Sequence, residues 1–126
     1  SLLTAIKKLR DLKARIILTT DHGTIRVTRP LKIIGDRSTT TNLRYKQGKN
    51  LNYDESRMIF AIKNPEEAQL PKMSVSATYA FTTQDCFFVY PNNYNYYVNY
   101  YKDSFQHGGI SMEEMIIPFI VLTPKP

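Results

Sequence analysis

Three features of the 126 residues predict an α/β domain: a helical stripe of leucines at the start, a continuous apolar run directly after it, and further short apolar runs separated by turn residues. Leu2, Leu3, Ile6, Leu9 and Leu12 recur three and four apart, with Lys7, Lys8, Arg10, Asp11 and Lys13 between them, so residues 2–14 read as an amphipathic helix. A basic amphipathic helix can lie on a membrane or bind a partner; packing on a sheet is the commoner use and is the expectation here. Residues 15–20, rich in β-branched and apolar types and ended by Asp21-His22-Gly23, read as a strand buried on both faces.

Residues 24–28 alternate as a second strand, and Leu31 to Ile34 form a third, ended by Gly35. From Asp36 to Asn52 the chain turns polar and cationic, and a loop leading into a short helix is expected, with the hydroxyl row Ser38 to Thr41 capping it rather than supplying a nucleophile. Strands are expected at residues 58–62, 79–82 and 85–90. Asn64-Pro65-Glu66-Glu67 reads as a cap, a first-turn proline and two acids that start a short helix. Tyr94, Tyr97 and Tyr101 fall three and four apart, which predicts a helix over 93–104. The last strand is expected over 115–123, with Pro118 marking an edge.

Composition bounds the function. With 42% hydrophobic and 22% charged residues, the chain reads as one globular domain over 1–126, which excludes a disordered tail, a collagen-like rod and a multidomain enzyme. The lone Cys86 has no partner for an internal disulfide and reads as a buried small hydrophobe. The net charge of +6 favours polyanionic partners. No apolar run approaches the roughly 18 residues that span a bilayer, so a soluble, cytoplasmic protein is expected. The chain begins without Met, in mid-helix pattern, as a piece of something longer would.

The two histidines both sit in Gly-punctuated loops beside strands, where side chains converge in open α/β sheets. A carboxylate beside an imidazole, as at Asp21-His22, suits zinc or manganese, although an Asp-His pair by itself is more often structural. Arg37, Arg44, Lys46 and Lys49 are candidates for holding phosphate groups, weighed equally against a solvated basic face. The tyrosines at 90–101 read as packing before base stacking, and Glu113 and Glu114 as caps of the turn into the last strand before metal ligands.

The words around these residues carry more. Thr19-Thr20-Asp21-His22-Gly23 and residues 105–118, Phe-Gln-His-Gly-Gly-Ile-Ser-Met-Glu-Glu-Met-Ile-Ile-Pro, resemble the two C-terminal metal-binding motifs of the alkaline phosphatase superfamily in the form seen in PglZ domains. Residues 35–46 and 87–94 look like one branch of it, the PorX-like response regulators of Bacteroidetes linked to type IX secretion. The resemblance spans about Ile16 to Pro118. It implies a partial alkaline phosphatase-like sheet flanked by helices, and a zinc-dependent phosphohydrolase acting on nucleotides or oligonucleotides. It further implies Asp21 and His22 as ligands of one zinc and His107 as a ligand of a second, the two ions stabilising the oxygens of an in-line displacement. The nucleophile and the remaining ligands precede the Asp-His-Gly motif in family order, where this chain has no His and the single acid Asp11. The chain therefore reads as the C-terminal part of such a domain, inactive by itself and binding zinc weakly or not at all. Homodimerisation or strand exchange through an unpaired sheet edge is expected, with signalling or secretion regulators as partners and no membrane. The alternative is a non-catalytic dimerisation or partner-binding module.

Overall fold

Ser1 accepts a hydrogen bond from the Thr4 amide through its hydroxyl and caps α1 (Leu2–Asp11), which Lys13, in the left-handed region at φ 54°, closes earlier than the leucine stripe suggests. The protein, a computed structural model, is described over residues 1–54 and 57–125. After α1 comes β1 (Ile16–Thr19), which pairs antiparallel with the last strand, Phe119–Leu122, in a ribbon whose register sets Ile16 opposite Leu122. The following strands are β2 (Ile25–Arg26), β3 (Arg29–Ile34), β4 (Tyr45–Gly48), β5 (Asn52–Tyr53), β6 (Ile59–Ile62), β7 (Thr78–Thr82), β8 (Cys86–Val89), β9 (Phe105–Gln106) and β10 (Phe119–Leu122). A 3₁₀ turn at Pro65–Ala68, α2 (Tyr94–Tyr101) and α3 (Met112–Met115) complete the elements.

The described strands form two ribbons, β1–β10 and β2–β9, and two three-stranded sheets, β5–β3–β8 and β4–β7–β6. β3 runs parallel to β8, and the chain between them builds the antiparallel β4–β7–β6 sheet, with β7 at its centre. The α/β class expected from the sequence is the class observed.

β8 holds the core together because both of its faces are covered. Phe87 and Val89 point to one side, where Val27 joins them and Ile25, Leu43, Tyr94, Val98 and Tyr101 close over them. Phe88 points to the other side and packs with Ile33 and Ala80. Cys86 is buried as expected, and burial pushes its thiol pKa up.

Several expectations are corrected. The run at 16–19 is not buried on both faces: it alternates half-buried with exposed, because β10 is its sole strand neighbour among the described residues. The stripe of α1 is not packed away either, and Leu2, Leu3, Leu9 and Leu12 are exposed. No helix follows the polar stretch at 36–44; instead the Asp36 carboxylate accepts bonds from the Ser38 amide and hydroxyl, an Asx turn that leads the chain into β4. Those bonds hold the Asp36 pKa below the ordinary value. Finally, β10 begins after Pro118, and residues 112–115 form α3, although the expected last strand takes in residue 115. Among the described residues, no helix is long and apolar enough to cross a membrane.

Candidate metal and phosphoester site

The two histidines lie 85 positions apart in sequence and meet because of one short ribbon. In β2–β9, Ile25 faces Gln106 and Arg26 faces Phe105, so the loop just before β2 runs beside the loop just after β9. The His22 and His107 rings stack with centroids 3.8 Å apart and planes 12° off parallel. His22 Nδ1 lies 2.8 Å from the carbonyl oxygen of Gly23. A carbonyl oxygen only accepts, so Nδ1 carries the proton and Nε2 of the neutral ring keeps its lone pair for a ligand. The Asp21 Oδ1 atom stands 3.6 Å from that Nε2, beyond ordinary hydrogen-bond length, on a carboxylate that is 89% exposed.

The loops are locked from beneath. The Gly23 amide donates to the Glu114 carbonyl at 2.8 Å, and a side-chain carbon at position 23 would collide with the backbone carbonyl of Glu113. Glycine is therefore required after His22 for close packing against α3, rather than for approach to a metal. Gly108, at φ +95°, takes a conformation that L side chains rarely adopt, and Asn42 Nδ2 donates to the carbonyl of His107 at 3.3 Å.

Under both loops lies an ion pair with no measurable exposure of the Arg44 residue. Arg44 Nε and Nη2 donate to the two Glu114 carboxylate oxygens at 2.8 and 2.9 Å, and Nη1 donates to the Cys86 carbonyl. Glu114 also accepts from the Gly109 amide and from the Ser111 amide and hydroxyl. Burial by itself would raise the Glu114 pKa; the bonds from Arg44 and Ser111, with the Arg44 charge and the Gly109 amide, outweigh it and leave the carboxyl below its ordinary value.

The expected phosphate-binding set divides. Arg37 and Lys49 are exposed, whereas Arg44 is engaged by Glu114 and Lys46 is buried, with Nζ donating to the Thr40 carbonyl at 3.0 Å. The four do not share one environment: Arg44 is held in the ion pair beneath the loops, Lys46 is buried on Thr40, and Arg37 and Lys49 face solvent. Glu114 is more than a cap, since its carboxylate joins Arg44 to the loop that presents His107. Ser111-Met112-Glu113-Glu114 carried a readable signal, because a serine three residues before a glutamate marks a helix start whose acid turns back to the cap. Asn42 had no such signal. Its role depends on Oδ1 accepting from the Arg44 and Tyr45 amides while Nδ2 reaches His107.

Two imidazoles and one carboxylate at one end of the β2–β9 ribbon form a nitrogen and oxygen donor set that suits zinc. Among the described residues, no group of three or more His, Cys, Asp and Glu side chains stands ready to hold a metal ion. Of these donors, His22 has its Nδ1 engaged by the Gly23 carbonyl, which fixes the orientation of the ring.

No curated protein matches the chain. The model of the BREX system PglZ alkaline phosphatase-like domain matches residues 2–122, which takes in both histidine loops, the ion pair beneath them and every described strand. The chain therefore belongs to the PglZ family, within an alkaline phosphatase-like superfamily of phosphoesterase type that is generally metal-dependent.

Proposed function

We propose that this chain forms part of a zinc-dependent phosphoesterase centre acting on phosphodiesters of nucleotide type, with Asp21 and His22 serving one ion and His107 a second. The observation that carries the proposal is the face-to-face approach of His22 and His107 from loops so distant in sequence, on a family-matched chain. When bound, a divalent zinc pair supplies charge stabilisation for the attacking and leaving oxygens.

The chain's own residues do the positioning. Gly23 O holds His22 Nδ1 and leaves Nε2 for a ligand; Asp21 adds a negative charge beside it; Glu114 and Arg44 tie the two loops together. Three ligands are fewer than two ions require, so the proposal assigns the nucleophile and the other ligands to sequence outside these residues, and turnover to the intact domain. A signalling role in a PorX-like response regulator tied to secretion is part of the same reading, and rests on the likeness of residues 35–46 and 87–94 to that branch.

A non-catalytic dimerisation module is the second reading, favoured by the exposed Ile17, Phe119, Ile120 and Val121 on the β1–β10 ribbon. Zinc analysis and hydrolysis of bis(p-nitrophenyl) phosphate by the intact domain separate the two. The enzyme reading expects turnover abolished by chelator and reduced at least ~100-fold in His107→Ala or Asp21→Ala. Chelator-insensitive or absent turnover, with a dimer that persists, supports the module instead.

A further inference from the structure

Lys46 is the most anomalous side chain in the molecule. It lies on β4 at 1% exposure, its ammonium donates to one acceptor, the Thr40 carbonyl, and among the described residues no carboxylate pairs with it. The ammonium also lies over the Tyr90 ring, whose centroid is 4.5 Å away and whose hydroxyl donates to that same Thr40 carbonyl at 3.2 Å. An ammonium has three N–H donors, so the polar capacity of this group is mostly unused. A buried cation without a counter-ion costs stability, and a methionine of similar length would avoid that cost.

The burial is not in solid core. Lys46 lines a cavity of about 430 Å³, within the roughly 300–1,000 Å³ of small-molecule sites. Tyr90, Tyr97 and Tyr101 line it too, with Thr41 and Asn92 as polar groups. Tyr97 and Tyr101 stack one helical turn apart, with centroids 6.1 Å apart and planes 13° off parallel, and Tyr97 is exposed. Flat aromatic faces of this kind accept a planar base from any nucleotide. Thr41 and Leu43 of the cavity wall flank Asn42, whose amide holds the His107 carbonyl, so the cavity adjoins the histidine loops without including either ring.

We infer that this cavity is a second binding site, separate from the histidine pair, for a nucleoside monophosphate unit, its base against Tyr97 and Tyr101 and its phosphate on the ammonium of Lys46. The phosphate supplies the counter-charge that Lys46 lacks among the described residues, and Tyr90 is the group that turns aside to admit it. Desolvation holds the Lys46 pKa down to about 8, and an arriving anion raises it again by favouring the charged form. The site requires no metal, so it stands or falls independently of the function proposed above.

The test is titration of the whole chain with AMP, adenosine and inorganic phosphate by calorimetry at neutral pH, with EDTA throughout. AMP should bind at least about tenfold more tightly than either half-ligand. Lys46→Met should lose at least about tenfold in AMP affinity while its circular dichroism stays native and its thermal midpoint stays level or rises. Tyr97→Ser, at an exposed position, should weaken AMP several-fold and decides the matter if Lys46→Met does not fold. The double variant His22→Ala, His107→Ala should bind AMP as the wild type does. The inference is overturned by undetectable AMP binding at millimolar ligand, by unchanged affinity in folded Lys46→Met or in Tyr97→Ser, or by loss of binding confined to the histidine variant.

Discussion

Two four-residue strands of similar apolar character meet opposite fates. In β8, Cys86, Phe87, Phe88 and Val89 are all buried; in β1, Ile16, Ile17, Leu18 and Thr19 alternate and Ile17 is exposed. The difference lies in what surrounds them. β8 pairs with β3, carries the side chains of α2 on one face and meets Ala80 of β7 on the other. Among the described residues β1 has β10 alone as strand neighbour, and the residues of α1 are not buried against it. An apolar run states that a strand is worth covering; it does not state what covers it.

Breaking the comparison starts beneath the histidines. Arg44→Met leaves Glu114 buried without its partner and should cost about 3–5 kcal/mol in urea unfolding. The acid arm checks the same pair. The folded Glu114 pKa lies below the unfolded value of 4.5, so its stabilisation is present above that value and is lost as pH falls through the folded one. In Glu114→Gln the acid loss of stability should be shallower, from a lower starting point.

Between the strands themselves, Phe88→Ala empties a fully buried site and should cost about 3–5 kcal/mol. Ile17→Ala, on the exposed face of β1, should cost under about 1 kcal/mol by the same measurement. Near-equal losses would mean that β1 is covered in solution.

Lys46 sharpens the contrast with an opposite sign. Its pKa of about 8 in the folded chain lies below the ordinary 10.5, so the unfolded chain binds more protons between those values and stability rises with pH across that window. Below about 8 the charged form is a cost, and Lys46→Met should gain up to about 3 kcal/mol at neutral pH while flattening the alkaline rise. Urea midpoints from pH 7 to 10 measure both. The smallest effect belongs to α1, where Leu9→Ser should change stability by no more than about 0.5 kcal/mol while reducing self-association in sedimentation.

Much of this molecule was legible in local pattern. The leucine period marked α1, the tyrosine spacing marked α2, and Asn64-Pro65-Glu66-Glu67 marked the 3₁₀ turn, because such signals act within one turn of chain. The polar stretch at 36–52 misled, since Tyr45 to Gly48 has little strand character of its own and is held as β4 by Thr78 to Phe81. The site divides along the same line. Asp21, His22 and His107 stand out by residue type and by the family motifs around them, whereas the ionic role of Arg44 depends on Glu114, 70 positions away, and the cavity beside Lys46 on Tyr97 and Tyr101.

By itself, then, the sequence determined the α/β class, α1, α2, the 3₁₀ turn, most strands and the motif histidines, for these rest on periodicity, short-range chemistry and local motifs. Tertiary structure alone decided that His22 stacks on His107, that Arg44 neutralises Glu114 and that Lys46 has no counter-ion among the described residues. Each depends on which distant strands pair, and charge carries no record in sequence of the partner or the void it will face once water is removed.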